Sequence, residues 1–216
     1  MASFPTAGST LVPLAIATYR DRHPAIELSL VEAEPEDSVP MLGAGDIDLA
    51  LIFEPNGVTE EGRAAVDRIH LLKDPMFAAL AKDNPLASKP KLRLKDLAAE
   101  PWVNPTISCA CSKLVQQACL ASGFEPHIAF ESDDYLAIQG LVAAGVGVAL
   151  IPDLALTTAR DDLVVRPLAG APARQVLAAT PEGAWRAPAT EAMLGILGEA
   201  AESWKENRAP ALAEVS

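Results

Sequence analysis

The sequence predicts an α/β protein of two similar lobes, each a mainly parallel sheet with helices on its faces. Three observations predict it. First, a phrase recurs about one hundred residues along, MLGAGDIDLALIF at 41–53 and LVAAGVGVALI at 141–151. Second, the apolar spacing alternates along the chain between the helical and the extended period. Third, the repeat carries its neighbours with it: Pro24 to Pro126 is 102 positions and Gly45 to Gly145 is 100.

In the first half, Ala2 to Pro5 supplies a short opening strand. Thr10 to Arg22 has Leu11, Leu14, Ala15 and Tyr19 on one helical face. Pro13 fits the first turn, where a missing N–H costs nothing. His23-Pro24 stops the helix, because the residue before proline is driven out of the helical region. AIELSLVE (25–32) alternates Ile26, Leu28 and Leu30 against Glu27 and Ser29 and reads as a strand. An acidic loop, EAEPEDS at 32–38, leads to a helix closed by Gly45, and Ala50-Leu51-Ile52 is a buried strand.

The second half repeats the plan. Trp102 to Pro105 is its opening strand, and Cys111 to Ser122 its first helix, with Gly123 placed as the C-cap. HIAFES is the next strand, with Ile128 and Phe130 on one face, and the acidic ESDD (131–134) precedes a helix closed by Gly145. The run at 141–151 falls well short of the roughly 20 residues that cross a bilayer. Residues 71–101 read as a strand crossing between lobes, a loop and a short helical turn. QVLAAT (175–180) is a second crossover, and a helix from about Ala189 to Trp204 returns to the first lobe. The lobes are thus 1–74 with 181–216, and 75–180. In open α/β sheets ligands sit beyond the carboxyl ends of the strands, so the ligand site belongs in a cleft between the lobes.

Charge excludes one partner class. Lys and Arg number 17 against 29 Asp and Glu, a net charge of −12, so the chain as a whole is repelled by nucleic acid. No secretory signal opens it, since Leu11 to Ala17 contains Pro13 and has no basic residue before it. Three closely spaced cysteines, Cys109, Cys111 and Cys119, make a poor disulfide framework and point to a reducing cytoplasm.

Candidate ligand contacts gather at two helix starts. Thr6, Ser9 and Thr10 open the first helix, and Thr106, Ser108 and Ser112 the second. Free N–H groups and hydroxyls there suit a carboxylate, and the same residues equally suit ordinary N-capping. Ser132, Asn104 and the strand end at Phe53 are weaker candidates for a cleft wall. Cys109-Ala110-Cys111 lacks the spacing and the second ligand pair of a zinc site. Small buried residues at a helix start account for it, with a redox switch as the alternative. No metal, cofactor or catalytic set is expected, and no enzyme activity.

Three phrases, STLVPLAIATYRDRHPAIELSLVEAEPEDSVPMLGAGDIDLALIF (9–53), KDNPLASKPKLRLKDLAAEPWV (82–103) and ASGFEPHIAFESDDYLAIQGLVAAGVGVALIPDLAL (121–156), resemble the effector-binding domain of LysR-type transcriptional regulators. The resemblance implies a fold like that of type II periplasmic binding proteins, with Rossmann-like lobes joined by two crossover strands. It implies a small-molecule effector, a homodimer or homotetramer, and DNA binding only through an N-terminal winged helix-turn-helix that this chain lacks. Thr6, seven residues before Pro13, falls where relatives commonly place a ligand-contacting hydroxyl. A stand-alone solute-binding protein for transport is the alternative.

Overall fold

The computed structural model describes residues 1–55, 66–106, 109–183 and 185–214, the last six as backbone only. The chain divides into two compact units, Met1–Lys73 with Gln175–Pro210, and Asp74–Arg174 with Ala211–Ser216.

In the first unit, β1 (Ala2–Ser3) is followed by a single helical turn α1 (Pro5–Gly8) and by α2 (Leu11–Arg22). Then come β2 (Val31–Glu32), α3 (Pro35–Ala44) and β3 (Ala50–Pro55). β1 lies between β2 and β3 and is parallel to both, Ala2 facing Val31 on one side and Ala50 on the other. Leu42 and Ile47 of the α3 region close over Ala2, Ala50, Ile52 and Val66 to make a core. The long α6 (Pro188–Glu214) buries Met193, Leu194, Ile196 and Leu197. It is tied to α2 by Tyr19, whose hydroxyl donates to the Ala189 carbonyl at 3.1 Å, and by the exposed Arg22–Glu199 pair.

Two strands belong to both units. β4 (Val66–Ala81) enters the second unit at Asp74, and β11 (Ala173–Pro181) leaves it after Arg174. Within the second unit β4 pairs antiparallel with β8 (Ala149–Pro152) and β9 (Leu163–Arg166). The remaining strands form two parallel pairs. These are β5 (Leu92–Arg93) with β10 (Leu168–Ala169), and β6 (Pro101–Asn104) with β7 (His127–Glu131). Helices α4 (Ala110–Ala121) and α5 (Tyr135–Ala143) complete the unit. Its core gathers Phe77, Val103, Ile138, Val142, Ala149 and Ile151.

The duplicated phrase is reproduced at the level of single hydrogen bonds. Gly45 and Gly145 both stand in the left-handed region, at φ 77° and 76°. Gly45 N–H donates to Leu42 and Gly145 N–H to Val142. The next residues, Asp46 and Val146, donate to Met41 and Leu141. Each glycine thus satisfies carbonyls that the helix end would orphan. Gly147 has a different reason to be glycine. A Cβ there would stand 2.7 Å from the Pro101 carbonyl oxygen, which already accepts the Val148 N–H.

Three expectations need correction. AIELSLVE forms a strand only at Val31–Glu32, because its partner β1 is two residues long and β2 has no neighbour on its outer side. Ile26 and Leu30 are about two-fifths exposed, at 41 % and 42 %. The strand HIAFE exists, but all five residues are exposed, and its register slips opposite Trp102/Val103. The last helix runs ten residues beyond Trp204, to Glu214.

Gly147→Ala is therefore expected to lower unfolding stability by about 1–3 kcal/mol, through forced separation of backbone segments. Gly43→Ala, inside α3 with open space around it, should be neutral or stabilising by about 0.5–1 kcal/mol. Urea denaturation of the two variants tests the contrast.

Candidate functional site

The polar residues of interest stand just past the carboxyl ends of parallel strands. In the second unit Asn104 ends β6, Thr106 follows it, and Ser132 follows β7. These three belong to one connected set. Asn104 is buried, at 4 % exposure, and its Nδ2 donates to Ser112 Oγ in α4 at 2.7 Å. Its carbonyl accepts the Ser132 N–H at 3.1 Å. Thr106 donates through its N–H (2.9 Å) and its hydroxyl (2.8 Å) to the carboxylate of Asp133. Ser132 Oγ accepts the Asp134 N–H, and Asp134 in turn caps α5 by accepting the Leu136 N–H at 2.8 Å. The acidic loop is therefore folded onto its own donors. A cavity of about 100 Å³ opens beside Asn104 and Ser112, lined also by Gln116, Glu125, Ile128 and Glu131.

In the first unit the three predicted hydroxyl residues also meet. Thr6 is buried in α1, and its carbonyl accepts both Ser9 Oγ (3.1 Å) and Thr10 Oγ1 (2.6 Å). Thr10 occupies the N-cap position of α2 but makes no side-chain cap bond there, because its hydroxyl turns back to Thr6. Phe53 is buried, its ring edge-on to that of Phe4 with centroids 5.0 Å apart, so it belongs to the packing beneath α1. Ser108 lies outside the described residues.

Sequence reasoning missed a buried charge cluster in the second unit. Arg174, on β11, donates through Nε (3.0 Å) and Nη2 (2.5 Å) to Asp74 on β4, both side chains being fully buried. The other Asp74 oxygen accepts the N–H of Leu154, in the 3₁₀ turn Asp153–Thr158, at 3.1 Å. Arg174 Nη1 reaches Cys111 Sγ in the first turn of α4 at 3.3 Å. The hydroxyl of Tyr135, first residue of α5, is buried beside Cys111. The available signal was an arginine, the one charged residue of a mainly apolar strand, one hundred positions after an aspartate in another.

Burial pushes the Asp74 carboxyl above its ordinary range, with the Arg174 charge and two hydrogen bonds working against the rise. Cys111 moves the other way. The hydrogen bond from Cys109 lowers its thiol, burial opposes, the Arg174 charge lowers it further, and it settles at about 6. Burial lifts Tyr135 well above its usual value, and the adjacent Cys111 charge adds to the rise. Among the described residues no group of three or more His, Cys, Asp or Glu is placed to hold a metal ion. No helix among them is long and apolar enough to cross a membrane.

Residues 1–202 match the family model described as "LysR substrate binding domain". The transcriptional dual regulator GltC of Bacillus subtilis is 29% identical over 151 residues, 69% of this chain and 49% of that protein. Among solved structures, the Synechocystis PCC6803 CcmR regulatory domain in complex with 2-PG superposes with a TM-score of 0.81 at 22% identity. That match covers 92% of this chain and 94% of the other. The effector-binding domain of QuiR in complex with shikimate gives 0.80 at 18%, covering 94% and 95%. The fold is thus the type II periplasmic-binding-protein-like fold that the sequence predicts. The transport alternative finds no support, since the relatives matched are regulators. The chain spans about half the length of the curated relatives it matches.

Two outcomes are expected. Asp74→Ala leaves a buried guanidinium unmatched and should cost about 3–5 kcal/mol in chemical denaturation, whereas Asp74→Leu combined with Arg174→Met should cost far less. The thiolate absorbance of the wild type minus that of Cys111→Ser should titrate with a midpoint near 6. Because the folded value lies below the ordinary 9.0, this group adds stability above pH 9 that is lost as pH falls towards 6.

Proposed function

This chain belongs to the family of LysR substrate binding domains, and from that premise we propose that it is the sensor of a DNA-binding transcriptional regulator, with a small carboxylate-bearing molecule as its effector. The observation that carries the reading is the pair of Thr106 donors past the end of β6 in the second unit, which already hold a carboxylate, with Asn104 and Ser132 hydrogen-bonded to each other beside them. Asp133 shows the geometry: one carboxylate takes both the N–H and the hydroxyl of Thr106. An effector carboxylate offers the same acceptors, and competes with Asp133 for them. Thr6, Ser9 and Thr10 form a second cluster past β1 in the first unit.

The effector acts by favouring one conformation of the domain over another, and it shifts the balance only by its difference in affinity for the two. The longer protein reads DNA through a further N-terminal domain and works in the cytoplasm as a homodimer or homotetramer.

A thermal-shift screen of shikimate, 2-PG and other small carboxylates tests the reading. At a concentration one hundred times its dissociation constant, a true effector should raise Tm by about 5–10 °C. With such a hit, Thr106→Val and Asn104→Ala should each weaken binding by about tenfold or more, and Asp133→Asn should strengthen it. Folded variants that bind the hit as the wild type does would remove the site assignment.

A further inference from the structure

The cavity beside Asn104 lies wholly within the second unit, and the carboxylate reading leaves it unassigned. Its walls follow from the fold. Trp102 and Asn104 alternate onto one face of β6 and stand opposite Ile128 and Glu131 of β7. Residues three apart on a regular strand point to opposite faces. The register slip at Trp102/Val103 gives β7 one extra residue, Ala129, and so turns Ile128 and Glu131 to the same side. Ser112 and Gln116, one helical turn apart, share the face of α4 that meets that side. Glu125 and Pro126 close the end between α4 and β7. About 100 Å³ stays open among them.

The unpaired polar groups around this space are mainly acceptors. Asn104 is buried, and its Nδ2 is spent on Ser112 Oγ. Its amide oxygen has no hydrogen-bond partner among the described residues, yet it is not sealed from solvent, so it faces the cavity. Glu125 and Glu131 likewise make no hydrogen bond or ion pair among the described residues. Lys113 and His127, the basic residues nearest in sequence, do not line the space. A concave site walled by one sign of charge concentrates the opposite ion. A primary ammonium offers three donors and no acceptor, which matches this wall. A bare metal ion would leave most of the volume empty, whereas a carbon chain fills it against Pro126 and Ile128.

We propose that the effector is an amino-carboxylate, whose primary ammonium sits in this cavity against Glu125, Glu131 and the Asn104 amide oxygen while its carboxylate takes the Thr106 donors. The carboxylate half rests on the reading above, and the ammonium half on the cavity alone. The two places are adjacent along both strands. Thr106 lies two residues beyond Asn104, and Asp133 two beyond Glu131, a span of about 6–7 Å in extended chain. A short ω-amino acid such as δ-aminovalerate reaches that far. A plain carboxylate leaves both glutamates of the cavity unmatched, and a plain amine leaves Asp133 on its donors.

Titration calorimetry of the whole chain compares δ-aminovalerate with two analogues at matched ionic strength. Hexanoate carries a methyl in place of the ammonium, and pentylammonium lacks the carboxylate. δ-Aminovalerate should bind at least about tenfold more tightly than hexanoate. Glu125→Gln and Glu131→Gln should each shrink that preference by about threefold or more. Equal affinity for δ-aminovalerate and hexanoate would overturn the ammonium site and leave the carboxylate reading standing. Binding of pentylammonium as tight as that of δ-aminovalerate would instead keep the cavity as an amine site and overturn the carboxylate half. Absence of δ-aminovalerate binding, or a preference untouched in both folded variants, would overturn the proposal outright. The comparison of the three ligands uses the wild type, so it decides the matter even where a variant fails to fold.

Discussion

The buried pair of Asp74 and Arg174 is the constraint on which the second unit depends. A guanidinium and a carboxylate removed from water lose several kcal/mol of hydration each, and only close geometry and further hydrogen bonds offset that loss. Both are present here. Two Arg174 nitrogens meet one carboxylate oxygen, Leu154 N–H satisfies the other, and the remaining terminal nitrogen faces sulfur. The pair stands where β4 enters the second unit and β11 leaves it. It therefore fixes four things at once: both strands, the 3₁₀ turn at Asp153 and the first turn of α4. A hydrophobic replacement could match its stability, but could not aim a charge at Cys111.

The scaffold was legible because its signals are local. A left-handed residue after a helix calls for glycine, and Gly45, Gly123 and Gly145 are all found there. The spacing of Leu11, Ala15 and Tyr19 is the buried face of α2. Strand extent was less legible, because alternation reports a half-buried surface only when a neighbour provides the burial. Ile26, Leu30, Ile128 and Phe130 alternate as an inward face would, yet Ile26 and Leu30 precede β2, Ile128 and Phe130 stand on β7, and all four remain exposed. The chain presents apolar edges that sequence pattern alone reads as core.

The candidate site was half legible for the same reason. Hydroxyl and amide residues before helices can be picked out from order along the chain, and Asn104, Thr106 and Ser132 do converge. The hydrogen bonds that join Thr106 to Asp133 and Asn104 to Ser132 were beyond reach, because they link residues 27 and 28 positions apart. Asp133 illustrates this: it accepts both Thr106 donors from 27 positions away. Arg174 was hidden more deeply still, since a single charge in an apolar strand gains meaning only from Asp74, one hundred residues earlier.

The account stands or falls on where a carboxylate is read. Amide hydrogen exchange, followed by mass spectrometry with and without a carboxylate that stabilises the chain, locates this directly. The account predicts slowed exchange in peptides spanning 104–112 and 132–138, where the β6 and β7 ends meet the starts of α4 and α5. Protection confined to other parts of the chain, such as the cavity near Tyr19 and Ser29, with those peptides unchanged, would contradict it.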